Sequence, residues 1–428
     1  MTRRHKERGL FALILLLLSS HAFVSAADDP ARLAGDGVTD DAPAIQAMLD
    51  SGAALVYLPP PEKCYLLCKT LKIHSNQTLR LDPTTTIRLA DEGLQHLISN
   101  SDYQNGNANI TIEGGIWDGN NLTQTCRYHT PGYVSKHETY NPEEYNGVLM
   151  QFKNVQNLTV QNLTLKDPET FAVQLGEIRS FCVENIRFDY NLAKRNMDGI
   201  HLNGGCRQGR IVNLRGNTND DMVALNANDG AMYELAAGEI ADILVDGLWA
   251  DNGYTAVRIL SAGDPVRRVH ITNIFGSWRY HVVSFTHHNV HQGERLIEDV
   301  TIDHIFSAKQ QEEVSRLPES QFDDRARHGN PLFYFEAGCN IRNVTIENLV
   351  RREFLPNPPA TVRIGAGTII DHFTLRNVTQ INCTKTPSTL INNEGTIEQL
   401  TLENVVLKGE EGFVPQQITG SGTVGVTE

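Results

Sequence analysis

The chain repeats one short phrase of alternating apolar and polar residues. It reads Asn157-Leu158-Thr159-Val160-Gln161-Asn162-Leu163, later Val269-His270-Ile271-Thr272-Asn273-Ile274 and Val344-Thr345-Ile346-Glu347-Asn348-Leu349, and again Leu400-Thr401-Leu402-Glu403-Asn404-Val405. Period-two alternation marks a strand with one buried face, and the Asn that follows marks a turn. Aligning Asn162, Asn185, Asn213, Gly247, Asn273, His304, Asn348, Asn377 and Asn404 as one column gives intervals of 23 to 44 residues, a coil plus variable loops. A unit this short cannot bury its own apolar face, so the copies must stack, and short strands joined by turns stack as a parallel β-helix. The pattern predicts an all-β fold, a single right-handed parallel β-helix. Asn fits the recurring corner because it tolerates a bent backbone and its amides can bond from coil to coil.

Before the first strand, which the pattern starts at Val56, the residues around Asp40-Asp41-Ala42-Pro43 have the composition of a helix start, and Ile45, Met48 and Leu49 share one face. A stack has an open end, and residues 27–55 are expected to cap it, with 27–428 forming one domain. Intervals longer than a bare coil place loops near 229–239, 286–297 and 308–331, and a further loop spans Asn120 to Gly147. Long loops on a rigid stack often wall a binding groove. The sequons at Asn157 and Asn377 fall inside predicted strands and are read as products of the repeat.

At the N-terminus, Arg3, Arg4, Lys6 and Arg8 precede the apolar run Leu10 to Leu18 and the small residues Val24-Ser25-Ala26. This order predicts a signal peptide over residues 1–26, cleaved after about Ala26, and a secreted or periplasmic protein. No run approaches the eighteen or so apolar residues of a spanning helix, so no membrane span is expected. The formal net charge of −14 becomes about −17 when four cations and one anion leave with residues 1–26. That balance argues against nucleic acid as a partner, which needs a basic footprint. Seven Cys permit up to three disulfides, with Cys64 and Cys68 the nearest pair, or serve as small buried apolar residues.

The chemistry concentrates in Asn196-Met197-Asp198-Gly199-Ile200-His201-Leu202 and Asn219-Asp220-Asp221-Met222-Val223-Ala224-Leu225. Their alignment at one coil predicts that Asp198 and Asp221 stack about 5 Å apart, with Asp220 beside them. Three carboxylates that close cannot ionise independently, and a raised pKa in one supplies an acid beside a base. Hydrolysis of a glycosidic bond needs that division of labour. Single Asp residues in such stacks commonly serve turns, and an oxygen-rich cluster is also a possible Ca²⁺ site. His287, His288 and His291 lack regular metal-ligand spacing, so no metal and no cofactor are expected.

Gly35-Asp36-Gly37-Val38-Thr39-Asp40-Asp41, Gly114-Gly115-Ile116-Trp117-Asp118-Gly119, Asn196-Met197-Asp198 and Asp220-Asp221 together resemble the polygalacturonase family of glycoside hydrolases, family 28, of the pectin-lyase-like superfamily. The resemblance covers nearly all of residues 27–428. It implies an inverting hydrolase in which Asp220 is the general acid while Asp198 and Asp221 activate water. Two family motifs depart: residues 222–256 contain no His where Gly-His-Gly is expected, and Val257-Arg258-Ile259-Leu260 has Leu260 in place of the Lys of Arg-Ile-Lys. The spacing from Asp221 to Arg258 is one coil with a loop where the family has two, which should bring Arg258 closer to the carboxylates, in column with His201 and Ala224. His281 falls in the column of Asp198 and Asp221.

Arg258, His201 and His281 are thus the expected substrate-binding residues. Trp117, Tyr128, Tyr133, Tyr145, Tyr254, Trp278 and Tyr280 are candidates for stacking on sugars or for packing. The leading expectation is a monomeric secreted glycosidase acting on a pectin-like or other uronate- or galactose-containing polysaccharide or oligosaccharide. A polysaccharide lyase or epimerase with Arg258 or a Lys as base and Ca²⁺ on the uronate is the second reading, and a non-catalytic carbohydrate-binding β-helix the third.

Overall fold

A computed structural model describes residues 23–25, 33–126, 144–228, 235–287, 296–310 and 329–427. Residues 1–22 and Ala26 of the expected signal peptide, Tyr128, Tyr133, His288 and His291 lie outside the described residues, as does much of each predicted loop. Strands in successive coils pair in parallel and form one sheet wound into a right-handed β-helix. One helix, Ala42–Asp50, covers its end, with Ala42, Ile45 and Leu49 buried and Met48 packed against the core. The helix's N-cap residue, Asp41, makes no side-chain capping bond and turns back to accept from Ala34 and Gly35, while Asp40 accepts from the Ala42 N–H at 3.0 Å. No helix among the described residues is long and apolar enough to cross a membrane.

The strand order departs from expectation at one point. Phe23–Ser25, within the expected signal peptide, pairs with Leu55–Leu58, so the first strand comes earlier than Val56. An edge strand exposes unpaired backbone groups, and an extended segment of the same chain satisfies them here.

The coils are held in register by the predicted corner. Asn162, Asn185, Asn213, Gly247, Asn273, His304, Asn348, Asn377 and Asn404 all adopt left-handed backbone, with φ from 52° to 78°. Asn185 donates to Asn162 at 2.9 Å, Asn213 to Asn185 at 2.7 Å, Asn377 to Asn348 and Asn404 to Asn377 at 3.0 Å. Where the column lacks Asn, the preceding carboxylate takes over: Asp246 accepts from Asn273 and Asp303 from Asn348, each at 2.7 Å. Asn157 belongs to a parallel ladder, donating to Asn109, which donates to Asn76. Inside the coil, Val160, Val183, Ile211, Val245, Ile271, Ile302, Ile346 and Leu375 stack in one buried file. With a continuous apolar core the stack needs no staples, and all seven Cys are free.

Candidate active site

The aspartates sit on the sheet that runs through Val173–Gly176, Ile200–Leu202 and Asp221–Asn226 and continues into the ends of Ile240–Leu260 and Val266–Thr286. Ile200 pairs with Val223, so Asp198 and Asp221 share a register position, and Asp221 pairs in turn with Thr255 and Thr255 with His281. The Gly199 N–H donates to Asp221 O at 2.9 Å. Gly199 permits that approach: a Cβ there would lie 2.4 Å from Met222 O and 2.6 Å from the Phe188 ring.

One carboxylate oxygen from each of Asp198, Asp220 and Asp221 lies within 4.8 Å of the others. Asp198 and Asp221 are buried, and Asp220 alone is partly open. Burial pushes the Asp221 carboxyl up to about 7, against the pull of Arg258, with Asp198 adding to the rise and His201 and Thr255 opposing it. Arg258 lies where its register places it, in column with His201 and Ala224, with Nε 2.6 Å from Asp221 Oδ2.

His201 and His281 occupy their expected columns, and both are closed to solvent, as Asp198 and Asp221 are. His201 stacks on Phe171 at 3.9 Å and donates from Nδ1 to Asp198 Oδ2 at 2.8 Å. Its outward strand position is covered by the neighbouring coil, which turns it into a support for the carboxylate. His281 donates from Nδ1 to Pro331 O at 2.8 Å and lies against Tyr280 and Tyr334. Burial and the charge of Lys309 push it down to about 3, so it is neutral. His287 is likewise buried and tied to Glu336 and Ala337, away from the aspartates. Among the aromatic candidates, Trp117 and Trp278 are fully buried core residues. Tyr145 is half-buried against the core, and burial of its hydroxyl raises that pKa well above the usual value.

One supporting residue is not evident in the sequence pattern. Arg279 is buried and reaches across coils to donate to Asn219 Oδ1 at 3.1 Å and Thr218 O at 2.8 Å, with its guanidinium 5.5 Å from the Tyr254 ring centroid. Asn219 in turn donates to Lys194 O at 2.7 Å and Leu192 O at 3.2 Å. The turn carrying Asp220 is therefore clamped from both sides. Beneath it, Lys309 donates to Arg279 O and Tyr280 O at 2.9 and 2.6 Å, and burial together with Arg351 brings its amine down to about 7.

Residues 60–237 match the model of glycosyl hydrolases family 28. No curated protein matches the chain. Among solved structures, PfbA, a surface adhesin of Streptococcus pneumoniae, is similar at a TM-score of 0.56 and 12% identity, over 95% of this chain and 93% of that one. The family 28 exopolygalacturonase of Yersinia enterocolitica is similar at 0.52 and 16%, over 94% and 78%. At these identities the likeness to both structures is one of fold. The segment that resembles glycosyl hydrolases family 28, residues 60–237, contains Asp198, Asp220 and Asp221 with the coils that stack them.

Proposed function

We propose that the protein is an exported, inverting glycoside hydrolase acting on a uronate-bearing polysaccharide or oligosaccharide. The observation that carries this reading is the unequal burial of three carboxylates whose nearest oxygens lie within 4.8 Å. Such a group titrates as a unit, and the rise of Asp221 to about 7 means that the unit retains a proton at mildly acidic pH. Asp220, the open member, passes that proton to the leaving oxygen. Asp198 and Asp221 hold the water: one molecule bridges oxygens at this separation with two hydrogen bonds of about 2.8 Å. His201 fixes Asp198, and Arg258 keeps enough charge on Asp221 for it to act as base.

The separation is shorter than the roughly 6.5–9.5 Å usual between the two carboxyl groups of an inverting enzyme. Here three groups share the work, and the stereochemistry is read directly from the anomer first formed, by proton NMR. Export rests on the basic, apolar and small-residue order of residues 1–26, and N-terminal sequencing of the protein recovered outside the cytoplasm checks it.

The test of the acid is Asp220→Asn. Release of reducing ends from a uronate polymer should fall by about 10²- to 10⁴-fold, with the melting temperature almost unchanged. Activity retained within tenfold would remove Asp220 from that role. An eliminating enzyme would need a free base near C5, whereas Arg258 is held by Asp221. Ultraviolet-absorbing product lost on adding a chelator would favour elimination over hydrolysis.

A further inference from the structure

Two residues past each corner the chain carries a second outward column, whose chemistry changes along the stack. Arg187 pairs with Arg215, Arg215 with Trp249, Trp249 with Phe275 and Phe275 with Phe306. Trp249 and Phe306 are 49% and 47% exposed. Trp249 stacks on Phe275 at 4.1 Å and 13°, and Phe275 on Phe306 at 5.5 Å and 4°. The rings cover one another along the axis. On the side away from Phe275, the coil neighbour of the indole is Arg215, and a groove of about 790 Å³ opens across that step.

Stacked rings alone are accounted for as a ladder that stabilises neighbouring coils. The ladder does not account for what stands next to it. Arg187 and Arg215 are exposed, one strand apart, and neither makes an ion pair with a described residue. Gly216 keeps the floor low; a Cβ there would lie 2.3 Å from Phe188 O, and its φ is +123°. Asp189 and Asp251 also line the groove, so its charge is local to the arginine pair. In a chain of net charge −14, two exposed arginines that make no ion pair with a described residue, beside an open indole, form a recognition surface for a sugar ring bearing a carboxylate.

We propose that this groove is a second glycan-binding site, separate from the aspartate cluster. A uronate-containing polysaccharide lays a sugar ring on the open face of Trp249, and its carboxylates pair with Arg215 and Arg187. Asn217 lines the groove and opens the turn that carries Asp220, so a chain held here stays close to the reaction centre. The assignment rests on the polysaccharide reading above.

Native gels containing polygalacturonate or alginate, with dextran as a neutral control, test it on the whole protein. Wild type should be retarded by the anionic polymers, and Asp220→Asn should be retarded equally. Trp249→Ala and Arg215→Gln should each weaken binding about tenfold. Arg215→Gln changes only an exposed side chain and keeps the test valid if Trp249→Ala proves unstable in a melting experiment. Wild type that runs freely in both anionic polymers, or variants retarded like wild type, would overturn the site. Turnover without retardation defeats the groove alone, whereas retardation without turnover leaves the groove and defeats the hydrolase reading.

Discussion

Two columns of side chains climb the same stack under opposite rules. At the corner from Asn162 to Asn404, most coils repeat one residue in one backbone conformation, and its amide bonds to the coil below. In the column that begins at Asp198, successive coils place Asp221, Thr255 and His281, all buried and all polar. The first column gains stability from sameness. The second leaves ionisable groups out of water, a cost that sameness would multiply. Repetition marks the scaffold, and polar departure from repetition marks the chemistry.

The contrast is sharpened most by Arg258→Ala. Losing the ion pair leaves Asp221 buried beside Asp198 without its cation, which should destabilise the fold by about 3–5 kcal/mol if the charge stays. Arg258 pulls the Asp221 pKa down, so its removal moves that pKa above 7, and the alkaline limb of the pH–activity profile should move to higher pH. A limb that stays in place would show that Asp221 does not govern it.

The next effect is on acid stability. Burial holds the folded His281 imidazole down to about 3 against its ordinary value of about 6.5, so the unfolded chain binds the extra proton between those values. This part of the stability is present above pH 6.5 and lost as pH falls toward 3. His281→Phe should flatten that decline in melting temperature, and an unchanged acid limb would show that other groups dominate it.

The corner responds more mildly. Asn377→Ala removes amide bonds to Asn348 and Asn404 and puts Ala at φ 53°, a loss of about 1–2 kcal/mol with activity intact. The smallest change expected is Gly247→Asn. A Cβ at Gly247 would meet Asn213 at an ordinary 3.5 Å, so completing the ladder should add up to about 1 kcal/mol in denaturant unfolding.

The sequence made legible whatever follows the repeat. Counting from the Asn column located the coils, stacked Asp198 on Asp221 and put Arg258 within reach of Asp221. It missed what depends on side-chain reach and depth. Arg279 contacts Asn219 around a corner, across 60 residues of chain, and no alternation pattern encodes that path. His201 occupies an outward position yet is buried, because Phe171 stacks over it. Trp249, Phe275 and Phe306 were within reach of the same counting, each two residues past its corner, but only stacking shows that they form one surface.

The left-handed corner also bears on how such a protein can diversify. Its backbone angle and its ladder bonds fix where each coil begins, while the intervals between corners range from 23 to 44 residues. Insertions and deletions between corners change what borders the groove without shifting the pitch that holds Asp198 over Asp221. Descendants of one chain can thereby acquire different groove walls by trading segments of unequal length, with the register of the aspartates inherited intact.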